Sequence, residues 1–148
     1  MVRDLDRTVA QPFIDAGASW ADSPKIMAEQ CDMIITCLPS PAASAAVMED
    51  DDGILAGLSD GKIWAEMSTT DYAEVTRLGA LVKERGADPV DCPVSGGCHR
   101  AATGNIAIFA GCERTVFEKI LPVLTILGRR VLHTGGLGTA SVLKVVTN

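Results

Sequence analysis

The sequence predicts an α/β domain built on a mostly parallel sheet. Short apolar runs alternate with amphipathic stretches of helical period along the whole chain. The run Asp32-Met33-Ile34-Ile35-Thr36-Cys37-Leu38 is near-continuously apolar, as strands covered on both faces of a parallel sheet are. With 148 residues, 47% of them hydrophobic, the chain can bury one real core and not two large ones.

Met1 to Asp4 reads as a short strand ending in an acid. Arg7 to Ala16 reads as a helix with Val9, Phe13 and Ile14 as apolar positions, closed by Gly17, although Pro12 lies beyond the first turn that proline tolerates. Ser23 and Pro24 supply the cap and first position of a second helix through Gln30. The strand from Asp32 to Leu38 stops at Pro39, and a helix follows from Ala42 to Met48. The acidic run Glu49-Asp50-Asp51-Asp52 is a solvated turn. Lys62 to Met67 is a strand. Thr70 or Asp71 caps a helix to about Arg85, with Leu78, Leu81 and Val82 on one face and Gly86 at its end. Asp88 to Val94 is a strand running into a Ser95-Gly96-Gly97 turn, and Asn105 to Ala110 is another. Glu113 to Leu127 is a helix with Val116, Phe117, Ile120 and Leu124 inward and Pro122 internal. Arg130 to His133 is the last strand; Thr134 to Gly138 is a loop, and Thr139 to Asn148 begins a helix. The organisation expected is a sheet domain over residues 1–138 and the start of an exit helix over 139–148.

The net charge of −6 and the absence of a basic face speak against nucleic acid as a partner. Aromatic residues make up 4%, too few for base-stacking platforms. No apolar run approaches the roughly 18 residues of a membrane span. The first residues lack the apolar core of a signal peptide, which makes the cytoplasm the expected compartment. Five cysteines without a CxxC pair do not form a disulfide framework or a zinc ribbon. Cys31, Cys37 and Cys92 read as buried free thiols. Cys98, His99 and Cys112 match no common zinc spacing, and no metal is expected.

In open α/β sheets, ligands bind beyond the carboxyl ends of the strands. The residues expected there are Asp4, Leu38-Pro39-Ser40, Ser68-Thr69-Thr70 and Ser95-Gly96-Gly97. Small and hydroxyl residues at these points suit the close approach of a ligand, and equally suit plain strand-to-helix turns. Asp4 is either a reader of ribose hydroxyls or a solvated surface acid. Lys144 and Asn148 are four apart and share a helix face. A lysine on a largely apolar helix beside a glycine-rich loop is either partly desolvated, which suits it to proton transfer, or a surface side chain with a buried stem.

Four segments together resemble the β-hydroxyacid dehydrogenase family, which includes 3-hydroxyisobutyrate dehydrogenase and glyoxylate/succinic semialdehyde reductases. Asp91-Cys92-Pro93-Val94-Ser95-Gly96-Gly97 is similar to the family's D-x-P-V-S-G-G segment. Asp32 to Pro39 resembles its D-x-I-I-T-x-L-P strand and turn, and Glu66-Met67-Ser68-Thr69 its D-x-S-T segment. Gly135 to Asn148 resembles its glycine-rich loop and lysine-bearing helix. The resemblance implies a doubly wound Rossmann-type sheet and a nicotinamide cofactor, NAD or NADP. It implies hydride transfer to or from a small anionic hydroxyacid or semialdehyde. It puts Lys144 on the catalytic lysine, and Ser95, Gly96, Gly97 and Asn148 on the substrate-binding positions. Leu38, Pro39 and Thr69 fall on the cofactor-lining positions, and Asp4 falls near the residue that reads the adenosine ribose. An acid there favours NAD, because it would repel a 2′-phosphate, while Arg3 and Arg7 leave NADP open.

The family begins with a strand and a G-x-G-x-x-G turn for the pyrophosphate. It ends in an all-α domain that closes the site and makes the dimer. Neither is in this sequence, so the chain resembles about half of a homo-oligomeric dehydrogenase. The expectation is that these 148 residues alone bind cofactor weakly and do not turn over. The alternative is a non-catalytic remnant, or a nucleotide-binding module completed by a partner. Departures at Ala140, Ser141 and Thr147, and the continuation Cys98-His99-Arg100, leave the hydroxyacid unnamed.

Overall fold

The structure is a computed structural model that describes residues 1–147. Two helices precede the sheet. α1 (Arg7–Asp15) begins where the Asp6 carboxylate accepts from the Thr8 amide at 2.9 Å, and Pro12 lies inside it. It buries Ala10 and leaves Val9 and Phe13 exposed. α2 (Pro24–Gln30) is capped by the Ser23 hydroxyl, which accepts from the Ile26 amide at 3.2 Å. The strand expected over Met1 to Asp4 is reduced to a single parallel bridge between Val2 and Trp20. Its extension ends early because the Asp4 carboxylate accepts from the Asp6 amide at 3.0 Å, which turns the chain toward α1.

The sheet contains β1 (Met33–Thr36), β2 (Ile63–Glu66), β3 (Asp88–Asp91), β4 (Val94–Ser95), β5 (Ala107–Gly111) and β6 (Arg130–Gly135). Its order is β1-β2-β3-β5-β4, with β6 also paired to β5. Among the described residues the pairings β1–β2, β2–β3 and β5–β6 are parallel, and β5 runs antiparallel to β3 and β4. The strand expected from Asp88 to Val94 is an extended run that changes neighbours. Its first half pairs with β2. Asp91, Val94 and Ser95 then stand opposite Gly111, Ile108 and Ala107 in one unshifted antiparallel register with β5. The break between β3 and β4 falls at Pro93, which has no amide to donate; its carbonyl still accepts from the Phe109 amide at 3.1 Å.

The remaining helices are α3 (Pro41–Glu49), α4 (Ile54–Gly57), α5 (Tyr72–Glu84), α6 (Cys98–Ala101), α7 (Arg114–Leu127) and α8 (Thr139–Val146). Asp71 caps α5 by accepting from the Glu74 amide at 2.8 Å. Alternate strand residues face opposite layers, as the two-residue period requires. Ile34 and Trp64 point into a core with α2, α4 and α5. Ile63, Ala65, Val90, Ile108 and Ala110 point into a second core closed by Val116, Phe117, Ile120 and Leu124 of α7. The sheet is therefore covered by helices on both faces, as a doubly wound fold is. The cover stops short of β1: Ile35 is 39% exposed, while its register partner Ala65 is fully buried.

Two local expectations change. Cys92 is buried, but Cys31 is half-buried and Cys37 is exposed, because Cys37 follows β1 on the side that α7 does not reach. Cys112 is buried instead, at the end of β5. The segment Cys98-His99-Arg100 is a single helical turn, α6, with all three residues exposed. No helix among the described residues is long and apolar enough to cross a membrane.

Candidate functional site

The turns after β1 and β2 are tied together. Glu66, at the end of β2, is buried, and its Oε1 accepts from the Ser68 amide at 2.8 Å. The Ser68 hydroxyl in turn accepts from the Leu38 amide at 2.7 Å. This bond fixes the turn Leu38-Pro39-Ser40 against Ser68-Thr69-Thr70, and the Ser40 hydroxyl starts α3 by accepting from the Ala43 amide at 3.1 Å. Pro39 and Thr69 are exposed on the rim so formed, and Leu38 is half-buried. Behind Thr69, the Thr70 hydroxyl is buried without a protein partner, as is Glu66 Oε2. Buried polar atoms are paired in nearly all proteins, so a hydroxyl left over beside an exposed rim suits a polar ligand. A nicotinamide and its ribose fit this donor set. Asp4 stands apart, exposed, with its carboxylate engaged by the Asp6 amide.

The extended run through β3 and β4 delivers Ser95-Gly96-Gly97. Ser95 and Gly96 are half-buried and Gly97 is exposed. Gly96 and Gly97 have φ of +138° and +79°, a conformation that side chains resist, and the turn opens onto α6. Successive turn amides and a hydroxyl can bind a carboxylate without adding net charge, which matters in a chain of charge −6.

The same run carries Asp91, which is fully buried. Its Oδ1 accepts from the Gly138 amide at 2.7 Å, and its Oδ2 accepts from the Ser141 amide at 2.8 Å and the Ser141 hydroxyl at 3.0 Å. These donors belong to the start of α8, whose first amides have no partner within the helix. The carboxylate thus closes the helix end from outside it. Burial pushes the Asp91 carboxyl above its ordinary value, and the bonds from Gly138 and Ser141 oppose the rise. The approach is possible because residue 111 is glycine: a Cβ there would lie 2.3 Å from Asp91 Oδ1. On the sheet side of α8, the Thr139 hydroxyl meets that of Thr134 at 2.7 Å. Ala140, Ser141 and Lys144 form the buried face of α8, and Lys144 is 7% exposed. The lysine is therefore enclosed and not a surface side chain. Asn148, its expected neighbour, lies outside the described residues.

The two buried thiols near these strand ends are held in the protonated form. Burial, then the Asp91 charge, raises Cys92 well above the ordinary thiol range. The same two causes, in the same order, push Cys112 up to about 12. Hollows of about 250 Å³ beside α5 and about 460 Å³ beside β6 are not lined by Lys144, Ser95 or Thr69. Ser68, expected among the strand-end residues, ties two turns together. Glu66, Asp91 and Ser141 also organise the site, and the sequence pointed to no role for them. A signal existed for two of them: an acid within an apolar strand, as at Glu66 and Asp91, is a buried charge that must have donors.

Residues 1–135 match the family model described as the NAD binding domain of 6-phosphogluconate dehydrogenase. The chain is 32% identical over 145 residues to a 2-(hydroxymethyl)glutarate dehydrogenase of Eubacterium barkeri, covering 98% of this chain and 48% of that protein. It is 33% identical over 147 residues to an NAD-dependent L-serine dehydrogenase of Pseudomonas aeruginosa, covering 99% and 49%. A solved structure of Mycobacterium tuberculosis 3-hydroxyisobutyrate dehydrogenase with L-serine superposes with a TM-score of 0.90 at 25% identity, over 97% of this chain and 48% of that one. The chain spans about half the length of the curated relatives it matches.

Proposed function

The chain belongs to the family of the 6-phosphogluconate dehydrogenase NAD-binding domain, and from that premise we propose that it is the cofactor-binding half of an oxidoreductase acting on a small 3-hydroxyacid or its semialdehyde. The observation that carries the reading is the enclosed Lys144 on a helix anchored to the strand that leads into Ser95-Gly96-Gly97. The nicotinamide, when bound, supplies the hydride acceptor or donor. Thr69, Leu38 and Pro39 line its ring and ribose, and the free Thr70 hydroxyl lies behind them. Asp4 faces the adenosine ribose and favours NAD, since its charge disfavours a 2′-phosphate. Arg3 and Arg7, the cations that would serve NADP, each lie 5.1 Å from the Trp20 ring.

Ser95 and the amides of Gly96 and Gly97 hold the substrate carboxylate, and Asn148 helps to orient it. Lys144 takes the hydroxyl proton as the carbinol is oxidised, and returns it in reduction. Substrates of this class are small anions, matching the hydroxyacid enzymes among the relatives. The complete enzyme is a homo-oligomer of the cytoplasm, and residues 1–148 by themselves do not turn over.

The test is Lys144→Ala in the protein at the length its gene encodes. The expected result is loss of most of kcat with cofactor binding retained, followed by the fluorescence of the reduced nicotinamide. An unchanged kcat overturns the role of Lys144. Steady hydroxyacid oxidation by residues 1–148 alone overturns the claim that this half is inactive.

A further inference from the structure

The Asp91 carboxylate spans 47 and 50 residues of chain to reach Gly138 and Ser141. It is fully buried, spends both oxygens on three donors of one helix end, and occupies a recess that only glycine at 111 leaves open. Ser141 and Lys144 are one helical turn apart on the buried face of α8. What fixes Ser141 therefore fixes the azimuth and depth at which Lys144 leaves the helix.

We propose that Asp91 is the positioning residue for Lys144: by gripping the first turn of α8 from the neighbouring strand, it sets where the lysine amine stands relative to the Ser95-Gly96-Gly97 turn on that same strand. Asp91 touches neither substrate nor cofactor. A second acceptor is essential, because Gly138 and Ser141 present their amides to different oxygens. An asparagine would keep the size of the side chain and offer one acceptor in place of two.

The inference rests on the proposed role of Lys144 for its catalytic consequence, but its geometric content can be read without turnover. Lysine acylation followed by mass spectrometry reports how enclosed each amine is. Lys62 is the internal control: its ammonium donates to the carbonyls of Ala28, Glu29 and Cys31. In the full-length protein, Asp91→Asn should raise the acylation rate of Lys144 several-fold and leave that of Lys62 unchanged. It should lower kcat by roughly 100-fold, the cost of about 1 Å of misplacement, with KM for the cofactor unchanged. Ser141→Ala, which removes one of the three bonds, should move the same readouts in the same direction by less.

Acylation of Lys144 that stays at the wild-type rate in both variants overturns the proposal. So does a parallel rise at Lys144 and Lys62 in Ser141→Ala, because the effect is then general loosening. If Asp91→Asn unfolds, Ser141→Ala decides. If Lys144 loosens alone and kcat does not fall, the anchor stands and the catalytic reading of Lys144 fails; if kcat falls while Lys144 stays enclosed, the anchor fails.

Discussion

Asp91 and Gly111 face one another across the point where β3 meets β5, and the carboxylate occupies the space that a side chain at 111 would fill. The pairing of an acid with a glycine gives α8 its anchor on the sheet. Gly136 O and Thr139 Oγ1 close the same recess, at 2.8 and 3.0 Å from a Cβ built on 111.

Gly111→Ala should therefore destabilise the protein although Gly111 has no unusual φ. The added methyl must displace the carboxylate or the loop before α8, which puts the cost at about 1–3 kcal/mol. Urea unfolding checks it: the midpoint should fall with the slope unchanged.

Thr70→Val should separate folding from binding. The hydroxyl is buried without a protein partner, so an isosteric methyl should leave stability unchanged or raise it by up to about 1 kcal/mol. Under the proposed function the same change should weaken cofactor affinity, as measured by titration calorimetry. A variant that is less stable and binds as before would assign the hydroxyl to the fold.

Cys112 gives the chain an alkaline limit. Its thiol is pushed up to about 12 by burial and then by the Asp91 charge, against 9.0 when unfolded. Between these values the folded state holds a proton that the unfolded state has lost, so stability falls as pH rises through the window. Cys112→Ser should make that decline shallower in urea unfolding above pH 9, the lower bound set by the free thiol, and leave the share due to the buried Cys92 thiol.

The bridge from Arg77 to Glu49 at 2.6 Å should matter little at neutral pH, because both side chains are more than one-third exposed. Arg77→Ala should cost about 0.2–1 kcal/mol. The hydrogen bond from Arg77 holds the Glu49 carboxyl below its ordinary 4.5, so this contribution is present above that value and is lost as pH falls through the lowered one. Acid titration of the wild type and variant should show their stabilities converging.

The six longer helices, most strands and the strand-end turns were legible because periodicity and capping are local: Ser23 and Asp71 each cap the helix that follows. The four-residue helices α4 and α6 are too short to show a period and were not legible. The antiparallel reversal at β5 was not legible. Val94 and Ser95 choose β5 as neighbour through a register across residues 107–111 that no local pattern encodes. Cys37 was misplaced for a similar reason, since burial of an apolar strand end depends on whether a distant helix reaches it. Lys144 was readable as a choice between enclosed and exposed, and the packing of α8 decided it. Asp91 escaped a role because its partners are 47 or more residues away.

The unshifted run from Asp91 to Ser95 works as a length gauge. At about 3.3 Å per residue, the helix anchor and the start of the Ser95-Gly96-Gly97 turn are set about 13 Å apart along one rod. Being four residues apart in a two-residue period, they share a side of the strand. A one-residue insertion between them would turn Ser95 to the opposite side. A two-residue insertion would restore the side and lengthen the gauge by about 6.6 Å. Deletions and insertions in this stretch should thus alternate in effect with their parity, and loops of related proteins can be exchanged only outside it.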